Sequence, residues 1–251
     1  MTDILLINPN TTRSITNLVL KTARTFAARG TRLRAATGAF GPRYIASRVG
    51  YAIAGHAAVD AFARDRGPTD AVVLACFGDP GLAALKEISP VPVVGMADAS
   101  ILQACAMGNR FSIVTGGERW KSMLEEFVAG HGLASRLASV RTVAPTGADI
   151  ARNPKAALAL LAAGCTACVR DDGADVVILG GAGLAGLAAR LKPMVEAPLL
   201  DGVACAIATA ESLARQNLAK AKSGALALPA PVDSVGLSPA LKKLLGSAAR
   251  P

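Results

Sequence analysis

An internal repeat constrains this chain more than any other feature of its sequence. Residues 70–78 (DAVVLACFG) align with residues 175–183 (DVVILGGAG) at a constant offset of 105. In this alignment Cys76 corresponds to Gly181. Each stretch runs from an aspartate through a short apolar segment to a glycine, a pattern typical of a buried strand that ends in a turn.

The beginnings of the two repeats also match. Residues 4–8 align with residues 111–115 at an offset of 107, so that a polar residue ends both segments. We therefore expect two similar halves related by an approximate two-fold axis. The predicted first half spans residues 1–100 together with about 214–251, and the second spans about 101–213.

Short apolar runs alternate with longer segments of helical periodicity throughout the chain. Continuously apolar strands are typical of parallel sheets covered by helices on both faces. The sequence therefore predicts an α/β protein with two pseudo-symmetric, Rossmann-like halves, each with a parallel sheet, and an active site in the cleft between them at the carboxyl ends of the strands. The predicted strands are residues 4–8, 32–36, 71–76, 91–95, 111–115, 140–143, 176–180 and 198–201.

Composition narrows the class of partner. The two longest uncharged apolar runs, residues 156–169 and 176–189, have fourteen residues each, fewer than the roughly 17 to 25 that a membrane span needs. The net charge of +9 favours an anionic partner, but the basic residues are scattered and aromatics make up only 4% of the chain. We expect a cytoplasmic protein that binds a small molecule, and neither a membrane nor a nucleic acid.

The five cysteines are predicted to be reduced thiols. Cys165 and Cys168 form a C-x2-C pair, but no second pair lies within the spacing of a metal site, and no metal is expected. Cys76 is the candidate for chemistry, because it ends a predicted buried strand and precedes a predicted helix. We expect the amino terminus of that helix to stabilise its thiolate.

Two polar turns follow equivalent strands of the repeat. The first contains Asn10 and the second contains Thr115 and Gly116. Side-chain oxygens and free backbone N–H groups at such turns can hold a carboxylate. Neither turn has the glycine pattern of a nucleotide-phosphate loop, so these turns predict a cradle for a small polar ligand.

Taken together, these segments resemble the Asp/Glu/hydantoin racemase superfamily, and most of all its hydantoin and allantoin racemases. The resemblance covers nearly the whole chain and lies in residues 7–12, 41–42 with Ile45, 75–81, 92–95, 111–117, 179–183 and 201–203. It implies a homo-oligomeric, cofactor-independent enzyme whose two cysteines face opposite sides of an acidic carbon. One cysteine removes the proton and the other returns it.

The resemblance also implies roles for residues of the cleft. Cys76 is the expected first catalytic thiol, and Gly181 occupies the position of the second. The expected substrate-binding residues are the polar group Asn10, Thr115 and Gly116, the backbone N–H donors Phe77, Gly78, Gly181 and Ala182, and the apolar walls Phe40, Ile45 and Phe77.

Glycine at position 181 leaves three readings open. The chain is a racemase with impaired or one-sided proton transfer, whether the glycine is natural or engineered. Alternatively, it is a one-cysteine enzyme similar to the arylmalonate decarboxylases. A third possibility is a binding protein that holds a small carboxylate or cyclic ureide without turning it over.

Overall fold

The computed structural model describes residues 1–143, 153–231 and 233–247. Its strands form two four-stranded parallel sheets, with the orders β2-β1-β3-β4 and β6-β5-β7-β8. The strands are β1 (Thr2–Asn8), β2 (Thr31–Thr37), β3 (Ala71–Leu74), β4 (Val93–Gly95), β5 (Phe111–Thr115), β6 (Leu137–Thr142), β7 (Val176–Gly180) and β8 (Leu199–Asp201).

Nine α-helices lie within the described residues and cover the sheets. They are α1 (Arg13–Phe26), α2 (Arg48–Arg64), α3 (Leu82–Ile88), α4 (Met96–Met107), α5 (Trp120–Gly130), α6 (Pro154–Arg170), α7 (Ala188–Leu191), α8 (Gly202–Gln216) and α9 (Pro239–Ser247). The predicted fold class is confirmed, and each of the eight predicted strands overlaps an observed one.

The central strands are buried because helices cover both faces of each sheet. Every residue of β3 and of β7 is buried, which explains why these strands read as uninterrupted apolar runs. Helix α1 instead alternates buried Ile15 and Val19 with exposed polar residues, as expected of a helix that covers one face of a sheet.

The sheet order determines where a ligand can enter. In the first sheet β1 and β3 are neighbours, and in the second β5 and β7 are neighbours. In the first sheet the chain leaves β1 for β2 at one edge and leaves β3 for β4 at the other edge. In the second sheet β5 leads to β6 and β7 leads to β8 in the same way. A crevice forms at the carboxyl ends of such a strand pair, and it is there that Asn8 and Thr115 end their strands.

Two helices join the halves. Helix α4 follows β4 of the first sheet and packs against β7 of the second, whereas α8 follows β8 and packs against β1 and β3. The two helices also contact each other, and the Gln103 amide donates to the Cys205 carbonyl at 2.9 Å. The exact limits of the two halves stay a prediction.

The carboxyl-terminal region contains a packed helix. The Ala-, Pro- and Ser-rich composition of residues 223–251 favours a peripheral tail, but within the described part of this segment helix α9 packs on α2 and buries Leu241. None of the described helices is long and apolar enough to cross a membrane.

Candidate active site

A cavity lies where the carboxyl ends of the two sheets face each other. Both halves contribute residues to its wall, and eight of the ten predicted site residues are among them. The lining residues are Asn10, Ile15, Tyr44, Ile45, Cys76, Phe77, Thr115, Gly116, Trp120, Gly181, Ala182, Gly183 and Leu184.

Cys76 lies two residues beyond the end of β3 and is 8% exposed. Burial raises the pKa of its thiol above the ordinary value, and the negative charge of Asp79 raises it further. The expectation of a stabilised thiolate is therefore wrong for the resting protein. Helix α3 begins only at Leu82, and the influence of a helix terminus is lost within about one turn. The raised pKa favours the neutral thiol over the thiolate.

Asp79 is the buried charge beside this thiol. Its carboxylate accepts hydrogen bonds from the backbone N–H groups of Ala97 at 3.0 Å and Asp98 at 2.7 Å, in the first turn of α4. Burial nevertheless raises the pKa of Asp79 to about 7. Gly95 lets the carboxylate approach, because a Cβ atom at that position would lie 2.1 Å from Asp79 Oδ2.

Gly181 occupies the corresponding position in the second half, and its backbone has φ +139° and ψ 135°. Residues with a side chain rarely adopt this conformation. A Cβ atom at Gly181 would lie 2.9 Å from Leu184 Cδ1 and 3.7 Å from Thr115 Oγ1. Among the described residues, the nearest neighbours of a side chain at Gly181 would thus be an apolar group and a hydroxyl.

Three of the described residues that line the cavity have backbone N–H groups without a protein partner. Within the described part of the chain, those of Phe77, Gly181 and Ala182 donate to no other protein group. Free N–H groups at the edge of a site can stabilise a developing oxyanion. Three of the four predicted backbone donors thus belong to lining residues, and their role as donors stays a prediction.

The fourth predicted donor, Gly78, has a different role. It is not among the lining residues, because it supports the ring of Trp120: a Cβ atom at Gly78 would lie 2.6 Å from Trp120 Cζ3. Conversely, the ring of Phe77 lies against Gly180, where a Cβ atom would come within 2.6 Å of it. An aromatic ring from each half thus packs on a glycine of the other.

Phe40 was predicted as an apolar wall, but it does not line the cavity. Its ring packs edge to face on His56, with centroids 4.8 Å apart. The neighbouring residues Tyr44 and Ile45 do reach the cavity, because hydrogen bonds hold this segment against the second half. The Tyr44 hydroxyl donates to the Gly116 carbonyl at 3.1 Å, and Trp120 Nε1 donates to the Ile45 carbonyl at 3.0 Å.

Five lining residues were not predicted as site residues from the sequence: Ile15, Tyr44, Trp120, Gly183 and Leu184. Two of them lie in the first turn of a helix that follows a polar strand end, Ile15 in α1 and Trp120 in α5. The polar turns before these helices were already predicted to hold a ligand, so the first helical residues after them could have been predicted as well. Leu184 gave no such signal, since the repeat aligns it with Asp79.

Comparisons with known proteins agree with this architecture. Residues 4–210 match the model of the family described as Asp/Glu/Hydantoin racemase. A hydantoin racemase from Paenarthrobacter aurescens is 35% identical over 228 residues, which cover 90% of this chain and 97% of the relative.

Solved structures agree as well. Allantoin racemase from Pseudomonas fluorescens superposes with a TM-score of 0.90 at 33% identity, covering 94% of this chain and all of the other. The allantoin racemase from Klebsiella pneumoniae gives 0.89 at 31% identity, covering 97% and 99% of the two chains. The resemblance inferred from the sequence is thus confirmed: this chain belongs to the Asp/Glu/hydantoin racemase family.

Proposed function

We propose that this protein is a cofactor-independent isomerase of the racemase type that moves a proton at an acidic carbon next to a carbonyl. The proposed substrate is a 5-substituted hydantoin, allantoin or a related amino-acid derivative, and Cys76 carries the proton. One observation supports this most directly: a single buried thiol faces a cavity that backbone N–H groups and Asn10 also line. Relatives named hydantoin racemase and allantoin racemase support the substrate class.

Cys76 and the backbone N–H groups of the cavity suggest the order of the proton-transfer steps. Cys76 first loses its proton to water, and the thiolate then takes the proton from the acidic carbon. The electron pair of the broken C–H bond moves into the ring, so that the neighbouring carbonyl oxygen becomes an enolate oxygen. The N–H groups of Phe77, Gly181 and Ala182 stabilise that oxygen. The thiol then returns a proton to the carbon.

The raised pKa of Cys76 acts on both steps. It keeps the thiolate fraction low at neutral pH, which slows proton removal. It also makes the thiolate, once formed, a stronger base toward a weakly acidic C–H group. Positioning within the cavity therefore has to supply much of the rate enhancement.

We further propose that the transfer is one-sided. The family resemblance implies a second thiol at position 181, where this chain has glycine next to Leu184. Loss of a positioned proton donor lowers a rate by about 10²- to 10⁴-fold. Proton exchange with retention of configuration should thus exceed inversion.

The remaining expectations are those of a cytoplasmic homo-oligomer that binds a small molecule. These expectations are separate from the proposed chemistry at Cys76.

The experiment that tests the proposal follows the C5 proton of each enantiomer of 5-methylhydantoin by proton NMR in D2O. We expect catalysed exchange with the unchanged protein and a loss of at least about 10³-fold in Cys76→Ala. Cys105→Ala is the matched control, because Cys105 is a thiol outside the cavity. Exchange that survives in Cys76→Ala would overturn the assignment. Absence of exchange in the unchanged protein would instead favour malonate chemistry or binding without turnover.

A further inference from the structure

Four polar side chains form a hydrogen-bonded chain behind the cavity, at the carboxyl ends of β1 and β2. Asn8 Nδ2 donates to Asn10 Oδ1 and to Thr16 Oγ1, both at 2.9 Å. Thr16 Oγ1 lies 2.8 Å from Thr37 Oγ1. Asn8, Asn10 and Thr16 are buried, so solvent does not compete for these bonds.

Backbone N–H groups fix the orientation of both amides. The N–H of Asn10 donates to Asn8 Oδ1 at 3.2 Å, and the N–H of Thr12 donates to Asn10 Oδ1 at 2.8 Å. A backbone N–H can only donate, so each accepting atom has to be the amide oxygen. The NH2 group of Asn8 must therefore be the group that faces Asn10 and Thr16.

The same reasoning determines what Asn10 offers to a ligand. Its oxygen already accepts two hydrogen bonds, from Thr12 and from Asn8, which fills both lone pairs. Its Nδ2 donates to no other residue in the described part of the protein. Because Asn10 lines the cavity, its NH2 group is the part of the side chain left for a ligand.

We propose that Asn8 and Thr16 are positioning residues that hold the Asn10 amide with its NH2 group toward the cavity. This end of the cavity then selects a substrate oxygen, either a ring carbonyl or the enolate oxygen formed from it, and disfavours an N–H group. The inference rests on the proposed function, since it assigns the substrate edge that the same site recognises. A donor fixed before the reaction needs no reorientation as charge develops on the oxygen.

Thr16 allows the clearest test, because it touches Asn8 and does not line the cavity. Thr16→Val keeps the shape of the side chain but removes the Oγ1 acceptor, which leaves Asn8 Nδ2 with Asn10 Oδ1 at 2.9 Å and the more distant Thr12 carbonyl at 3.4 Å. Thr16→Ser keeps the hydroxyl. Thr22→Val is the matched control, a buried threonine on the same helix outside the hydrogen-bonded chain.

Two readouts are needed. The first is kcat/KM for deuterium exchange of 5-methylhydantoin. We expect a loss of about tenfold in Thr16→Val, recovery of most of it in Thr16→Ser, and no change in Thr22→Val. Asn10→Asp, which replaces the donor with a carboxylate, should lose about 10²-fold or more.

The second readout does not require turnover. The side-chain NH2 resonances of Asn10 are assigned from their absence in Asn10→Asp and followed by ¹⁵N NMR, with and without unsubstituted hydantoin. We expect Thr16→Val to shift or broaden them in the free protein, and hydantoin to shift them in the unchanged protein. Thr37→Val, at the far end of the chain of hydrogen bonds, provides a second variant with the same expected direction should Thr16→Val fold poorly.

Resonances of Asn10 that stay the same in Thr16→Val and Thr37→Val would overturn the inference, as would an equal loss of exchange in Thr22→Val. If the unchanged protein exchanges no substrate proton, the proposed function fails, but the NH2 resonances still decide the orientation of Asn10. The two failures are therefore distinguishable.

Discussion

The loops that follow β3 and β7 are equivalent by the repeat, yet they present different chemistry to the cavity. Both reach a glycine with positive φ at their far end, Gly81 at +85° and Gly186 at +81°. Between strand and glycine, the first loop has Cys76 and Asp79 where the second has Gly181 and Leu184. The final glycine turn is thus shared, but the backbones before it differ, since Gly78 and Asp79 have positive φ in the first loop and Gly181 has positive φ in the second. The ionisable groups occur in the first loop only.

The two halves also anchor their helices differently. In the first half Asp79 reaches from the loop to the N–H groups that begin α4. In the second half Asp201 lies at the start of α8, accepts from Val203 at 2.9 Å, and reaches back to the N–H of Gly186 at 2.7 Å. A carboxylate joins loop and helix in both halves, but only in the first does the loop itself carry the charge, close to the thiol.

Pseudo-symmetry of the fold therefore does not guarantee symmetry of the chemistry. If the second loop lacks only a proton donor, then supplying one should raise the rate of inversion. If its backbone and Leu184 have adapted to glycine, then a simple substitution should cost stability first.

The largest expected effect comes from restoring a thiol to the second loop. In Gly181→Cys combined with Leu184→Ala, which opens the space that Leu184 Cδ1 occupies, we expect the rate of inversion to rise by about 10²-fold or more. Polarimetry of each 5-methylhydantoin enantiomer measures it. Leu184→Ala alone is the control and should leave inversion slow. A double variant that folds and exchanges the proton but still fails to invert the substrate would contradict the idea that the second loop lacks only a proton donor.

The next effect concerns stability. Gly181→Ala should lower the free energy of unfolding by about 1 to 3 kcal/mol, because φ is +139° and the new Cβ meets Leu184. Gly132→Ala is the matched control, since φ there is +71° with no atom within 4 Å of the new Cβ. Urea denaturation should show the greater loss at Gly181. An equal loss of unfolding free energy in the two variants would mean that Leu184 moves aside without cost.

A smaller effect is expected for the contact that holds the Tyr44–Ile45 segment to the second half. Trp120→Phe removes the hydrogen bond to the Ile45 carbonyl and should raise KM about five- to tenfold with a smaller change in kcat. Glu126→Gln breaks the exposed ion pair with Arg48, between α2 and α5, and should have little effect. A similar KM in Trp120→Phe would show that this segment does not form the binding surface.

A further effect concerns Asp79 and depends on pH. Its pKa is about 7 in the folded protein and 3.8 as the ordinary value, so the folded state binds more protons between these values. Stability should therefore fall as pH rises through this window. Asp79→Asn should remove that slope in urea denaturation at pH 4 to 8, whereas Asp171→Asn, at an exposed carboxylate, should retain it.

Asp79→Asn also tests the influence of Asp79 on the pKa of Cys76. Since the charge of Asp79 raises the pKa of the thiol, Asp79→Asn should increase exchange at pH 8 by about threefold, as more thiolate forms. A decrease in exchange with intact folding would contradict that influence.

Much of the fold was predictable because the repeat and the apolar runs reflect burial, which sequence periodicity records directly. The position of Cys76 was predictable for the same reason, since it follows a buried strand. The raised pKa of its thiol was not, because the burial of the thiol and the approach of Asp79 depend on how the loop packs against α4.

Contacts between the two halves could not be predicted from the sequence either. Trp120 packs on Gly78, and Phe77 packs on Gly180, across an interface that no local pattern encodes. Phe40 was misplaced for a related reason: its ring had an alternative partner in His56, on a helix that begins eight residues later.

The central claim is that one thiol serves one face of the substrate. The most direct test is the ratio of deuterium exchange to inversion, measured in the same sample by proton NMR and polarimetry for each enantiomer of 5-methylhydantoin. The account predicts that one enantiomer exchanges its C5 proton many times for each inversion, while the other exchanges slowly. Equal rates of exchange and inversion for both enantiomers would contradict it and would require a second proton donor opposite Cys76.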